Sequence, residues 1–319
     1  MATRLLKLAT MLGKVESPEG TDATPAAAEG FYALITPPDP QVDFYVPNVH
    51  TGKGSQLPGV IGARRFEGQA EVLLRGSGVA YSASVKPKAD ALLRACGLAA
   101  ANTATPGSEK WDYTLRSSAF ESFSFYVYLD GVITKLLGAR ALGSFTFPVG
   151  APARLSAGLR ALYTAPADGA TVVPTGEPTI AFPVMLASAF QIAAANYAAK
   201  HGEIRLDLGR RIVPRGDGTS ATGYAGMEMV AERTPVITFE AEATTEAGYP
   251  WFATLLAGTQ IDCSFTVGAT QYNKVTVTIP AMQFARLETF DKEGILMYRA
   301  TCNLCDPAGG DADLTISFA

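Results

Sequence analysis

The feature of this sequence that most limits its fold is an alternation of apolar and polar residues with a period of two. In SFSFYVYL, residues 122–129, Phe123, Phe125, Val127 and Leu129 fall on one side of an extended chain. Ser122, Ser124, Tyr126 and Tyr128 fall on the other, so one strand face is apolar and the other more polar. Asp130-Gly131 follows, a dipeptide suited to a hairpin turn, and a second β-rich run, VITKLL, comes directly after it. CSFTVGATQYNKVTVTIP (263–280) and DLTISFA (313–319) have the same character. Two stretches depart from it. KADALLRACG puts Leu92, Leu93 and Cys96 on one helical face and stops at Gly97. YPWFATLLAG has Pro250 near a first helical turn and stops at Gly258. The chain reads as mainly β, with one short helix in each half.

The two halves also share an order of elements. Each has a Pro/Gly-containing loop and then an alternating strand, QAEVLLRG (69–76) or VITFEAEA (236–243). A helix follows, ending in LLRACG or TLLAG, and then a hairpin with a lysine after its turn, Lys135 or Lys274. Each half closes on a strand ending in proline, GLRALYTAP (158–166) or RATCNLCDP (299–307). Aligning Pro166 on Pro307 sets Tyr163 on Leu304 and Leu155 on Leu296. The first copy carries extra residues between helix and hairpin, LAAANTATPGSEKWDYTLRSS. Order and period carry this repeat, since identity between the copies is low. The expected division is a first β domain over 1–166, a linker over 167–189 and a second β domain over 190–319.

Composition excludes several classes. The chain has 319 residues, 48% hydrophobic and 18% charged, which supports a sizeable core and argues against bulk disorder. Its formal net charge is −4 and it has no lysine- or arginine-rich block, so tight gripping of a phosphate backbone is disfavoured. That balance still permits a path along which DNA slides without sticking. Four cysteines do not make a disulfide framework and fit a reducing cytosol. Lys7 and Lys14 interrupt the apolar start of the chain, which reads as a mature N-terminus rather than a signal peptide. The stretch AFPVMLASAFQIAAANYAA (181–199) has the length of a membrane span. Pro183, Ser188, Gln191 and Asn196 interrupt it, so no membrane insertion is expected.

The residues that carry chemistry elsewhere are sparse here. Cys302 and Cys305 form a CxxC, but residues three apart on a strand lie on opposite faces. A zinc site would need two more ligands, and Cys96, Cys263, His50 and His201 are each isolated in sequence. The repeat also sets Cys302 on Ala161 and Cys305 on Thr164, so the same strand is built once without cysteines. Buried structural cysteines are the expectation. Neither histidine lies in an HExxH or similar spacing, and Gly52-Lys53-Gly54 lacks the order GxxxxGK[ST]. GDGTSATG (216–223) reads as a flexible loop, and DPAGGDAD (306–313) lacks the EF-hand spacing and closing glutamate. No G-x-S-x-G elbow occurs. Glu71, Glu240 and Glu242 sit at alternating strand positions and read as the solvated face of a sheet. No catalytic residue, cofactor or metal site is predicted, and the chain reads as a non-enzyme.

Taken together, these segments resemble the major tail tube protein of long-tailed, siphovirus-type bacteriophages or of a phage-derived particle. The resemblance starts at LLKLATMLGKVESPEGTDATPAAAEG and runs through LLRACGLA, FESFSFYVYLDGVITKLLGARA, GLRALYTAP, EIRLDLG and QYNKVTVTIPA. RRIVPRGDGTSATGYAGMEMVAE (210–232) matches loosely, and FYALITPPDPQVDFYVPNV (31–49) is unusually rich in proline. The resemblance implies a tail-tube-type β-sandwich or partial barrel with a short flanking helix, and the repeat makes it two such domains in tandem. The resemblance also implies rings stacked into a virion tail tube that conducts double-stranded DNA from capsid to host, after assembly in the host cytoplasm. Implied partners are further copies of the chain, a tape measure protein, a tail terminator and distal tail proteins. With two domains per chain, three chains would make a ring of pseudo-sixfold symmetry.

On that basis Glu71, Glu240, Glu242 and Glu288 are the expected lumen-facing residues. The long segments 37–64 and 209–232, with Asp39, Asp43, Tyr45, Lys53, Arg215 and Asp217, are expected to stack ring on ring. The competing expectation is a soluble β-rich binding or adhesion module. That reading needs an exposed aromatic platform, and Trp111 and Trp251 are the only tryptophans.

Overall fold

The computed structural model describes residues 5–50, 52, 54–186, 190–193, 197–199, 201–307 and 309–319, with backbone alone for 197–199 and 201. The chain begins with β1 (Thr10–Val15), β2 (Gly30–Phe31), β3 (Leu34–Tyr45), β4 (Val60–Leu73) and α1 (Asp90–Ala95). Next come β5 (Leu98–Thr103), β6 (Lys110–Leu115), β7 (Phe123–Tyr128), β8 (Val132–Pro148), β9 (Arg154–Leu162) and β10 (Ala167–Asp168). The second half has β11 (Phe190–Ile192), β12 (Tyr197–Ala199), β13 (His201–Asp207), β14 (Ile212–Gly216) and β15 (Tyr224–Met229). It continues with β16 (Val236–Glu242), α2 (Trp251–Ala257), β17 (Ile261–Val267), β18 (Val275–Lys292), β19 (Ile295–Leu304) and β20 (Thr315–Phe318). The protein is mainly β, as its alternation predicts.

Strand alternation fixes which side chains are buried. Leu155, Ala157, Leu159 and Ala161 of β9 are buried, as are Ile237, Phe239 and Ala241 of β16, and they share one core. The short helix α1 closes that core with Leu92, Leu93 and Cys96, all fully buried. Gly97 then takes φ +83°, the left-handed conformation that ends a helix at low cost. Asp130 and Gly131 both have positive φ, so the β7–β8 connection is a two-residue turn whose twist matches the strands.

The polar side of β7 is covered as well. Ser124 is fully buried and Tyr126 and Tyr128 are nearly so. The N-terminal segment covers them. β1 pairs with β7, and residues 16–24 fold over its polar side. Ser124 donates to Glu16 at 2.8 Å and accepts the Ala23 amide at 3.0 Å, while Tyr126 donates to Asp22 at 2.5 Å. Alternation reports what a face is made of, and not what covers it.

The pairing order recurs in the two halves. β3, β4, β9 and β8 are neighbours in that sequence, and so are β13, β16, β19 and β18. The long strands β8 and β18 each change partner partway, from β7 to β9 and from β17 to β19. A bulge interrupts β3–β4 between Thr36 and Asp39, and another interrupts β13–β16 between His201 and Ile204. Bulges also interrupt β8–β9 between Leu137 and Arg140 and β18–β19 between Phe284 and Arg286. With Pro166 set on Pro307, following the pairings outward places Ala161 on Cys302, Arg140 on Arg286, Phe66 on Ile237 and Asp39 on Arg205. The bulges then coincide to within one residue. The counterpart of 236–242 is 65–71, upstream of the 69–76 run that alternation singles out.

Two strands join the halves into continuous sheet. β13 lies between β8 and β16, and β20 lies between β6 and β18. The apolar stretch 181–199 contributes bridges at Val184 and Met185 and the strands β11 and β12. Among the described residues no helix is long and apolar enough to cross a membrane.

Glu16 ties the N-terminal segment to this frame by accepting from the Gly20 amide, the Ser124 hydroxyl and the Gly138 amide, each at 2.8 Å. Glu16→Ala leaves those donors without their acceptor inside the protein. The expected loss is about 2–4 kcal/mol, read as a lower urea midpoint with an unchanged slope.

Candidate assembly interface

The strands β3, β4, β9, β8, β13, β16, β19 and β18 form an eight-stranded run, in that order. One face of this run is the core. The other carries the alternate residues, and these are mostly charged or hydroxylic. Ion pairs run along and between its strands. Glu67 meets Arg65 at 3.1 Å and Arg160 at 3.6 Å, and Glu71 meets Arg154 at 3.5 Å. Glu203 pairs with Arg205. Glu240 accepts from Arg299 at 2.8 Å and Lys292 at 3.0 Å. Glu288 meets Arg286 at 2.6 Å and Arg299 at 3.9 Å. Partial burial pushes the Glu240 carboxyl up, but the hydrogen bonds and charges of Arg299 and Lys292 outweigh it and hold it below the usual range. The same pairing raises the Arg299 guanidinium.

All four expected lumen residues lie on this open face. Glu240 and Glu288 are brought together through Arg299, whereas Glu71 belongs to the far side of the run, on β4. The sequence reading missed the basic residues of this face: Arg154 beside Glu71, Arg299 and Lys292 beside Glu240, Arg286 beside Glu288, and Arg160 and Arg205, which pair with Glu67 and Glu203. The signal was present, because each arginine occupies an alternating strand position of the same parity as the open face. As a result the face is charge-balanced, and not the acidic surface that the glutamates alone suggest.

The expected stacking segments are strands for much of their length, and not loops. Asp39, Asp43 and Tyr45 lie on β3, which with β4 makes a long hairpin joined by residues 46–59. Its outer part is exposed and apolar, with Phe44, Tyr45, Val60 and Ile61 each 60–68% exposed. Lys53 lies outside the described residues. Arg215 is on β14 and Asp217 is in the turn to β15, where it accepts the Thr219 amide and hydroxyl at 2.8 and 2.7 Å. Those two hydrogen bonds hold its carboxyl below the usual range. The β14–β15 hairpin does not project along its whole length. Ile212, Met227 and Met229 pack on Phe120, Leu142 and Leu162, and Arg160 donates to the Ile212 carbonyl at 2.9 Å.

Two edges of the eight-stranded run end without a neighbour among the described residues. One is the outer side of β3, whose pairing is with β4. The other is the stretch of β18 from 283 to 292, whose pairing is with β19. No cluster of metal-ligating side chains occurs among the described residues. Cys96, Cys263 and Cys302 are buried, and burial pushes each thiol up, that of Cys96 to about 12.

This is a mainly-β protein built around a long, open, charge-balanced sheet. It belongs to the phage tail tube protein family, whose model matches residues 7–319. No curated protein matches the chain. Membership makes it a structural component of a phage tail, one that self-assembles into a tube together with other tail proteins.

The Glu240 cluster has a defined pH signature. Its folded-state pKa is depressed, so its contribution is present above the unfolded carboxylate pKa and is lost as pH falls through the folded value. In the unassembled chain, wild type should exceed Glu240→Gln in stability by less than about 1 kcal/mol above pH ~5, since the pair faces water. Urea titrations should show that gap closing below pH ~4.

Proposed function

We propose that this protein polymerises as stacked rings whose eight-stranded runs join edge to edge around a lumen, the conduit for DNA from capsid to host. The observation that carries this reading is the open sheet itself, with one charge-balanced face and two unpaired edges. An exposed strand edge is an association hazard unless another copy covers it, and a closed ring removes it. The balanced face suits a conduit. Its arginines are already paired with glutamates, so few free cations remain to hold a passing phosphate backbone.

The recurring pairing order supports reading the chain as two tail-tube-like domains, over 1–166 and 190–319, with 167–189 between them. Size then favours three chains per ring. At a strand spacing of about 4.8 Å and a tilt of about 40°, sixteen strands from two chains close at a backbone diameter of roughly 32 Å. Twenty-four strands from three chains close at roughly 48 Å. After a layer of side chains about 5 Å thick on each wall, only the three-chain ring leaves clearance for a hydrated duplex. The result is a ring of three chains with pseudo-sixfold symmetry. Glu71, Glu240, Glu242 and Glu288 then face the lumen, with their basic neighbours.

The exposed tip of the β3–β4 hairpin, with Asp43 and Tyr45, and the turn around Asp217 are assigned to contacts between rings. Tape measure, terminator and distal tail proteins would meet the tube at its bore and its two ends. Assembly would take place in the host cytoplasm.

End-on electron micrographs of the purified chain should show hollow rings or tubes with six lobes. The mass of a single ring should equal three chains. A ring of six chains would keep the conduit and overturn the two-domain reading. A compact monomer that takes up sugar or peptide would favour a binding module instead.

A further inference from the structure

We propose that the outer edge of β3 in one chain pairs antiparallel with the free stretch of β18 in the next. In this register Asp39 lies opposite Lys292 and Gln41 opposite Phe290. The proposal rests on the ring reading above and specifies its contact. The occupant of each edge is a second copy of this chain, and the template for the contact lies within the chain. β13 ladders onto β8 with Arg205 opposite Thr146, Leu206 opposite Phe145 and Asp207 opposite Ser144. That ladder is the junction between the two halves. β3 is the counterpart of β13, and β18 that of β8, with bulges that coincide to within one residue on both sides. Carrying the ladder across therefore sets Asp39 on Lys292, Pro40 on Asp291, Gln41 on Phe290 and Val42 on Thr289.

The uncovered state of the second half is visible at one residue pair. Arg140 is 3% exposed, meeting Glu19 at 3.2 Å beneath the β14–β15 hairpin. The side chain of its counterpart Arg286 is 72% exposed, at the free edge of β18. Covering that edge with a neighbour's β3 repeats for the second half what the chain already does for the first.

Backbone chemistry makes the contact directional. The Leu208 amide donates to the Gly143 carbonyl at 3.3 Å, so residues of that parity on β13 direct their backbone groups at β8. Their counterparts on β3 are Pro38, Pro40 and Val42. Proline has no amide hydrogen, so this edge offers carbonyl acceptors at 38 and 40 and a donor at Val42. Two β3 edges facing each other would lack the donors at 38 and 40 on both sides, which disfavours a symmetric dimer. The β18 stretch has no such gap, and its Thr289 and Asp291 amides supply the donors. A contact between unlike edges propagates head to tail, and closes into a ring. The charges agree, with Asp39 facing Lys292. This moves Asp39 from the expected stacking surface to the contact within a ring.

Gln41 and Phe290 would form a non-hydrogen-bonded pair with Cα atoms about 4.5 Å apart, within reach of a disulfide. The test is oxidation of assembled Gln41→Cys/Phe290→Cys, followed by non-reducing electrophoresis. Covalent multimers up to the number of chains in a ring are expected, with the off-register pair Gln41→Cys/Glu288→Cys staying largely uncrosslinked. Assembled tubes in which the off-register pair crosslinks as well or better, or the in-register pair does not, overturn the register and leave the tube reading intact. If the double-cysteine chain fails to assemble, charge exchange decides. Asp39→Lys should block assembly and Asp39→Lys/Lys292→Asp should restore it, and a failure to restore overturns the proposal. A wild-type chain that stays monomeric removes the tube reading, and this contact with it.

Discussion

Backbone hydrogen bonding along β8 is the constraint on which the rest of the structure depends. Within 17 residues this strand meets β7, β9, β10 and β13. Serving both sheets requires a break in register, and the bulge between Leu137 and Arg140 supplies it. Below the bulge the strand belongs to the layer covered by the N-terminal segment. Above it, the strand belongs to the long run with an open face. β18 repeats this division of labour, pairing with β17 over 275–282 and with β19 over 282–292. The two layers therefore hold each other through shared strands as well as through the core between them.

Burial and charge are separated by the same alternation. The core side of the eight-stranded run is aliphatic and aromatic, with Phe145, Phe147, Phe190, Phe239 and Phe265 in contact across the junction of the halves. The other side carries arginine–glutamate pairs that face water outside the part around Arg140, Leu142 and Leu162, which the β14–β15 hairpin covers. Single surface pairs of this kind stabilise little. Their consequence is electrostatic. A wall whose cations are already compensated neither grips nor strongly repels a polyanion, whereas unpaired glutamates would repel it and unpaired arginines would retain it.

The two hairpins that follow β3 and β13 occupy corresponding places in the pairing order and end differently. β14–β15 folds back, because Ile212, Met227 and Met229 find an apolar patch at Phe120, Leu142 and Leu162. The β3–β4 hairpin runs straight on and leaves Phe44, Tyr45, Val60 and Ile61 in water.

The sequence by itself determined the β class, the two helices and their stops at Gly97 and Gly258, and the β7–β8 turn. Each depends on contacts within a few residues, where side-chain period and backbone φ act directly. It also made Cys302 legible as a core residue, because Cys302 shares a strand position with Ala161, whereas Cys305, expected to be buried as well, is only partly so. Only the tertiary structure decided what covers each face and what neutralises each charge. Ser124 and Tyr126 read only as a more polar strand face, and the segment from Glu16 to Asp22 that buries them is supplied by the fold. Glu240 reads as a bare carboxylate until β18 and β19 bring Lys292 and Arg299 beside it. The same holds for 37–45 and 60–64, which the ladder between β3 and β4, rather than any local pattern, makes strand. Such outcomes depend on residues far apart in the chain, and local pattern carries no record of which distant strand supplies the partner.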